Sequence, residues 1–432
     1  MKEIRFIDLF AGLGGTRIGF ENACKKKGLS SKCVFTSEIK KHSLKVYEEN
    51  FGNHIIHGDI KDVNTKDIPS FDVLLAGFPC QAFSSAGKRK GFLDTRGTLF
   101  FEIERILKAK RPTGFILENV EGLVTHNKKN KSDERGQTFE TILNILKEIG
   151  YVISYKVLNA KNFGLAQDRK RIFIVGTLKN KVNLDNFEIK KSVLSSILEK
   201  NLTPKDTKFT KLLFKHYKVE DLFGKSIKDR RGGSNNIHSW DIGLKGEVSK
   251  EQKELLNKLL KERRRKHWAE KKKIKWMDGM PLTEEEIKSF YNIPNLRGLL
   301  DDLVKKGYVR YEHPKELIEK EIDGKKHKFR DYDLSKPKGY NIVAGKLSFE
   351  ISKVLDPKGI TPTLVATDLD KFVVPTERGI RRLTIREGLR LFGFPETFNI
   401  NLSQSKGFDL LGNSIAVPVV ESVSLRLLDT LG

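Results

Sequence analysis

IRFIDLFAGLGGTRIGF, residues 4–20, changes its hydrophobic period at the middle, and that change sets the reading of the whole chain. IRFIDL is almost continuously apolar, which suits a strand buried on both faces. FAGLGG is a turn, and GTRIGFENACKKKG reads as a helix stopped by Gly28. Gly12, Gly14 and Gly15 leave backbone N–H groups open to a ligand at the helix N-terminus. The spacing is not GxGxxG, so the turn points to a nucleotide-like cofactor rather than to a dinucleotide.

Further along, strand-like and helical runs alternate. CVFTSEI (33–39), FDVLLAGF (71–78), TGFILENV (113–120), VISYKVLNA (152–160) and RIFIVGTL (171–178) read as strands. KHSLKVYEENF (41–51), TLFFEIERILKAK (98–110) and FETILNILKEIG (139–150) read as helices. The expected fold is α/β, a doubly wound, mainly parallel sheet covered on both faces. From about residue 185 the alternation stops. Segment 191–340 carries 37 Lys and Arg against 24 Asp and Glu, which accounts for 13 of the net charge of +25. KERRRKHWAEKKKIK (261–275) alone holds nine basic residues, read either as a solvated helix face or as a phosphate-contacting run. Helical spacing returns in RRLTIREGLRLFGF (381–394) and in LGNSIAVPVVESVSLRLLDTL (411–431).

Composition narrows the function classes. A chain of 432 residues allows two or three domains, and 38% hydrophobic residues fit a folded protein. The excess of positive charge points to a polyanion, usually nucleic acid, although heavy lysine use throughout offers a blander source. No run approaches the roughly 18 apolar residues of a membrane span, and Asp8 interrupts the N-terminal run. The expectation is a cytoplasmic protein with no membrane partner. Cys24, Cys33 and Cys80 are too few for a disulfide framework, and without CxxC or HExxH no metal is expected.

The chemistry-bearing residues gather at strand ends. Glu38 ends the second strand, 24 residues after Gly14, where an acid can bond ribose hydroxyls. Asp59, in GDI, is placed to accept from an adenine amine; an ordinary loop carboxylate is the alternative for each. Cys80, in PCQ (79–81), follows a strand at its C-terminal end, as a nucleophile would, though a lone cysteine is more often a buried thiol. Glu118, in ENV, lies on the same edge, where desolvation favours a protonated carboxyl. Arg169 and Arg171, in QDRKR (167–171), alternate towards one face.

FxGxGG, PCQ, ENV, QxRxR and a late GNS, in that order, closely resemble the cytosine-C5 DNA methyltransferases of bacterial restriction–modification type. The resemblance is dense over 4–180 and resumes at about 360–425. It implies a Rossmann-like fold dependent on S-adenosylmethionine, with S-adenosylhomocysteine as product, and a smaller irregular DNA-recognition domain. Cys80 would attack C6 of a flipped-out cytosine, Glu118 would contact N3, and Arg169 and Arg171 would hold O2 and the nucleophile. Phe10, Ala11, Gly12, Leu13, Gly14, Gly15, Glu38, Ile39, Asp59, Ile60, Pro79, Leu99, Asn413 and Ser414 match cofactor positions. Ala82, Lys40, Gly388 and Phe392 depart from the family pattern without touching a reacting group.

The resemblance also implies a domain plan: a catalytic and cofactor-binding domain over 1–181, a target-recognition domain with its supporting segment over 182–407, and a C-terminal helix, 408–432, returning to the first. SSAGKRKGF (84–92) resembles a loop that closes over DNA, so Gln81, Ser84, Ser85 and Lys88 are candidate DNA contacts. RGGSNNIHSWDIGLKG (231–246) resembles a subgroup acting on GG…CC palindromes such as GGYRCC, with Arg230, Arg231, Asn235 and Asn236 as base readers. The expected partner is double-stranded DNA, bound by a monomer, with a cognate restriction endonuclease acting on the same site without direct contact. Two rival readings are a tRNA cytosine methyltransferase, disfavoured by the long basic region, and a non-catalytic DNA-binding regulator, disfavoured by the intact catalytic motifs.

Overall fold

The computed structural model describes residues 3–52, 55–78, 99–130, 132–229, 235–275, 279–322, 325–343, 349–365 and 371–432. Its first strand, β1 (Glu3–Leu9), divides its side chains between two cores: Ile4 and Phe6 join one, Ile7 and Leu9 the other. A strand apolar on both sides needs cover on both faces. The following elements supply the sheet and part of that cover: α1 (Gly15–Lys26), β2 (Ser30–Ser37), α2 (Lys41–Phe51), β3 (Ile56–His57), β4 (Val73–Gly77), α3 (Leu99–Lys110), β5 (Gly114–Val120), α4 (Gln137–Glu148), β6 (Val152–Asn159) and β7 (Lys170–Thr177). The strands form one sheet in the order β3-β2-β1-β4-β5-β7-β6. The first five are parallel, and β7 runs antiparallel to both neighbours. The doubly wound, mainly parallel sheet expected from the sequence is therefore present. Strand order reverses between β1 and β4, which opens a crevice at their carboxyl ends.

The chain divides into two compact units. Unit 1 comprises Met1–Leu202, Asp356–Asp370 and Arg382–Gly432; unit 2 comprises Thr203–Leu355 and Lys371–Arg381. Unit 2 contains α5 (Lys208–His216), β8 (Ser226–Ile227), β9 (Asn236–Ile237), α6 (Lys250–Glu262), α7 (Lys266–Lys271), α8 (Glu284–Lys288), α9 (Leu296–Lys305), β10 (Val309–Glu312), β11 (Lys315–Ile322), β12 (Lys325–Tyr332), β13 (Gly339–Ile342), β14 (Lys353–Val354), β15 (Phe372–Thr376) and β16 (Gly379–Arg382). Its five-stranded sheet, β16-β15-β14-β8-β9, covers a core containing Phe209, Ile227, Ile237 and Val373. A second core of Trp240, Leu255, Leu259, Trp268, Leu300 and Tyr340 is mostly helical. The basic run 261–275 is only partly a solvated face. Arg263 and Lys272 are buried, Arg263 donating to Asn341 Oδ1 and Lys272 to both oxygens of Glu286.

The chain then returns to unit 1 as α10 (Ile385–Phe392), α11 (Gln404–Gly412) and α12 (Val417–Leu431). α10 starts on a capping box, with Thr384 Oγ1 accepting from Glu387 N and Glu387 accepting from Thr384 N. α12 lies on α1: a Cβ on Gly19 would come within 2.7 Å of Val420. By length and composition alone Gln404–Leu431 passes as long and apolar enough to cross a membrane. Its apolar side chains, Val419, Val420, Val423 and Leu427, are core packing instead. α3 and α4 cover the other sheet face with Phe100, Ile103, Phe139 and Ile142. Segments 182–202 and 382–407, drawn from sequence into the recognition part, pack inside unit 1. Leu194 N donates to Gly359 O, and Glu199 N donates to the Glu387 carboxylate.

Candidate active site

The glycine turn sits at the carboxyl end of β1. Phe10 has φ 57° and Gly12 φ 56°, and Gly14, the N-cap of α1, has φ 75°. A left-handed aromatic residue costs on the order of 1 kcal/mol or more, and such strain clusters at functional sites. The three glycines do different work. A Cβ on Gly12 would meet nothing nearer than Phe10 O at 4.0 Å, so this glycine alone leaves room for a ligand. A Cβ on Gly14 would overlap the Phe51 ring, and one on Gly15 would lie 2.8 Å from Ile415 Cγ2. Side chains at those two positions are excluded by packing against α2 and the α11–α12 junction.

Glu38 organises the neighbouring loop. Its Oε2 accepts from Gly12 N at 2.8 Å, and its Oε1 accepts from Ile39 N at 2.8 Å and Lys40 N at 2.7 Å. The side chain of Ile39 is 67% exposed, an apolar surface beside a strand end. Asp59 accepts from Lys61 N at 3.1 Å and pairs with Lys61 Nζ at 3.3 Å, while the Ile60 side chain is buried in the core. Leu99 is the first residue of α3 and is partly buried. Asn413 is exposed between α11 and α12, and Ser414 is buried beside it.

β5 and β7 bring the acid and the arginines to this same edge. Because β7 is antiparallel, its N-terminal end lies beside the C-terminal end of β5, with Val120 opposite Arg171. Arg171 Nε lies 3.1 Å from Glu118 Oε1, and both side chains are largely buried, at 15% and 13% exposure. Burial pushes the Glu118 carboxyl above the ordinary glutamate range, against the pull of the Arg171 and Arg169 guanidiniums. Asn119 Nδ2 donates to Phe78 O at 3.2 Å, tying the ENV strand to the residue that precedes Pro79. Pro79, Cys80, Gln81, Ser84, Ser85 and Lys88 lie outside the described residues. The other two thiols are poor nucleophiles: Cys24 and Cys33 are buried, and burial pushes both up to about 11.

Arg169 differs from its partner in QDRKR. Only 2% exposed, it donates to Leu364 O at 3.0 Å, Gly412 O at 3.3 Å and Ser414 O at 2.5 Å, with its guanidinium 4.9 Å from the Phe392 ring centroid. It fastens the β7 entry to three carbonyls that are about 195 to 245 residues away in sequence. Gln167 extends the clamp: its Nε2 donates to Leu391 O and its Oε1 accepts from Leu364 N. Sequence reasoning missed this clamp, whose only signal is a buried-type glutamine two residues before an arginine. Sequence reasoning also missed Asp8, fully buried, whose Oδ1 accepts from Thr16 Oγ1 at 2.7 Å while Oδ2 has no hydrogen-bond partner. Burial pushes its carboxyl up to about 7.

In unit 2, Arg230 and Arg231 lie outside the described residues, but the stems of their loop are well held. Ser226 N donates to Asn235 O, Lys228 N to Ile237 O, and Asp229 accepts from both the N and Oγ of Ser239. His238 stacks on Trp240 at 4.6 Å and bonds Lys228 O. Asn235 is exposed and Asn236 partly so.

A glycine turn and ribose-type acid on one side of the strand-order reversal, and a buried acid–arginine pair on the other, define an α/β methyltransferase. The chain matches the C-5 cytosine-specific DNA methylase family over residues 4–428. It is 54% identical to the Type II methyltransferase M.NlaIV of Neisseria lactamica and 54% identical to M.NgoBV of Neisseria gonorrhoeae, in both cases over 100% of each chain. Among solved structures, the Dnmt2 methyltransferase of S. pombe superposes over 100% of both chains with TM-score 0.52 at 16% identity, a likeness of fold. The chain belongs to the C-5 cytosine-specific DNA methylase family and is a DNA (cytosine-5-)-methyltransferase.

Proposed function

We propose that Cys80 is the nucleophile and Glu118 the acid in methylation of a flipped-out cytosine, with Arg171 and Arg169 supporting them. The observation that carries this is the Glu118–Arg171 pair, desolvated and tied through Asn119 to the residue before Pro79. Cytosine C5 is too weak a nucleophile to take a methyl group unaided. Addition of the Cys80 thiolate to C6 breaks the C5–C6 double bond and moves electron density to C5, while Glu118 donates to N3. Arg171 orients the Glu118 carboxyl and faces the base. Loss of the C5 proton to a base then restores the double bond and expels the thiolate. The target must leave the duplex stack for C6 to be reached.

S-adenosylmethionine, when bound, supplies an electrophilic methyl group and becomes S-adenosylhomocysteine. The residues present fit it. Gly12 leaves open space at the turn, Glu38 keeps acceptor capacity for ribose hydroxyls, and exposed Ile39 offers an adenine face an apolar surface. Phe10, Ala11, Leu13, Asp59, Ile60, Pro79, Leu99, Asn413 and Ser414 complete the cofactor set, with Gly14 and Gly15 shaping the turn through packing. Arg169 acts through position, holding the Gly412 and Ser414 carbonyls.

Residues 1–181 and 408–432 form the catalytic part of this reading; within 182–407, Thr203–Leu355 and Lys371–Arg381 carry recognition, and the segments that pack in unit 1 carry its support. Gln81, Ser84, Ser85 and Lys88 contact DNA beside the nucleophile. Arg230, Arg231, Asn235 and Asn236 read a short GG…CC palindrome such as GGYRCC; the pinned stems of their loop support this. The enzyme works in the cytoplasm as a monomer and protects host DNA against a cognate endonuclease that it does not touch.

The test is methyl transfer from labelled cofactor to duplex DNA, with tRNA as comparison. Cys80→Ala should abolish transfer and keep cofactor and DNA binding. Duplex carrying 5-fluorocytosine should trap the wild type covalently, because fluorine does not leave as a proton does. Trapping at Cys24 or Cys33 would refute the assignment.

A further inference from the structure

We propose that an open hollow in unit 2, bounded by Lys245 and the outer edge of β10, grips a phosphodiester of the duplex substrate outside the base-reading loop. The hollow has a volume of about 720 Å³, and its lining includes Lys245, Val309, Arg310, Tyr311, Glu312 and Tyr332. That volume is ample for a sugar–phosphate unit. β10, all four of whose residues line the hollow, pairs only with β13 among the described residues, so its other edge has no strand partner.

Charge is what selects the occupant. Lys245 Nζ donates to Gly307 O at 2.7 Å and lies 5.5 Å from the Tyr308 ring centroid, held in place rather than free in solvent. Arg310 is exposed and makes no ion pair among the described residues. The one carboxylate in the lining, Glu312, is occupied by neutral donors: Tyr332 Oη at 2.9 Å and Asn341 Nδ2 at 2.8 Å. Burial lowers the Lys245 ammonium below the usual lysine range; Asp229 opposes this shift and Arg310 adds to it, so the two cations feel one another. Tyr311 and Tyr332 are 47% and 41% exposed, and rings of this kind pack against sugars beside a phosphate. Lys315 Nζ stands 4.5 Å from the Tyr332 ring centroid and adds a third cation at the rim.

This rests on duplex DNA being the substrate, and the experiment separates the two. The full chain is titrated with a fluorescent duplex across a salt series. Wild type should lose affinity linearly in log–log form. Arg310→Ala should weaken binding about three- to tenfold and reduce the slope by roughly 0.9, the value of one lost phosphate contact. Arg310→Lys should restore the slope, and Arg310→Glu should weaken binding further. The methylated cytosines should stay the same, since a phosphate carries no sequence. Arg310 is exposed and unpaired, so the variants should melt like wild type, which thermal denaturation checks. Wild-type slopes in both Arg310→Ala and Arg310→Glu would overturn the proposal. A wild type with no salt-dependent duplex binding would overturn the DNA reading together with it.

Discussion

At the scale of single residues, the reacting groups are set by desolvation. Glu118, the proposed acid, has its proton affinity raised because burial outweighs two arginines. Glu118→Gln keeps the shape and loses the proton, so turnover should fall by on the order of 10²-fold or more with duplex binding nearly unchanged. The alkaline limb of the wild-type rate profile should vanish with it; wild-type turnover in the variant would make Glu118 a structural carboxylate. Asp8 carries the same physics without a place in the reaction. Its folded-state value, about 7, lies above the ordinary 3.8, so the folded state holds the proton more tightly than the unfolded one. Stability therefore falls as pH rises from about 4 to 7 and is flat above that. Asp8→Asn keeps the acceptor for Thr16 and mimics the protonated acid. Its advantage over wild type should grow by roughly 2–3 kcal/mol between pH 5 and pH 8 in urea melts. An advantage independent of pH would mean the carboxylate is compensated in the fold. The strand-end positions of Glu118, Glu38 and Arg171 were legible from the alternating pattern, and the structure has them there; Cys80 lies outside the described residues. Asp8 was not legible, because its burial follows from a sheet covered on both faces.

At the scale of elements, period and punctuation were enough to locate the strands and helices of unit 1, but not what the glycines are for. A glycine before a helix reads the same whether it admits a ligand or a neighbouring side chain. A Cβ would find open space at Gly12 and a neighbouring side chain at Gly14 and Gly15. Gly19 is the clearest case, since it lies mid-helix, where glycine costs roughly 1 kcal/mol against alanine. It is retained because a Cβ there would sit 2.7 Å from Val420 Cβ and 2.9 Å from Val417 O. Gly19→Ala should thus destabilise the protein by about 1–3 kcal/mol, despite the better helix propensity. Val420→Gly added to it removes the opposing Cβ and should show the clash as a non-additivity in a double-mutant cycle. A more stable single variant would show that α1 and α12 are free to separate. The Arg169 clamp is illegible for a related reason. Its acceptors are backbone carbonyls, which every residue has, so no residue type in 364 or 412–414 announces them.

At the scale of the whole molecule, the division of labour follows from what each unit must tolerate. The catalytic unit must accept any flipped cytosine, so it cannot define the site, and its motifs are legible because the chemistry is constant. Unit 2 is built from short strands, ribbons and short helices, and its charge says polyanion without saying which sequence. Under the proposed reading, a monomer with one nucleophile modifies one strand per visit. Both strands of a site are then protected by the same contacts only if the site reads alike in both directions, which favours a palindrome. The stems of the proposed base-reading loop are fixed by Asp229, Ser239 and the β8–β9 pairing, and direct readout of guanine O6 and N7 calls for such an anchored support. Plasmid methylated by the enzyme should therefore carry its marks within short GG…CC palindromes. Arg231→Ala should relax preference at one guanine at a cost of roughly 1–3 kcal/mol. Bisulfite sequencing reads both results. Marks confined to non-palindromic or AT-only sites would overturn the target, and an unchanged pattern in the variant would remove this loop from recognition while leaving the catalytic assignment intact.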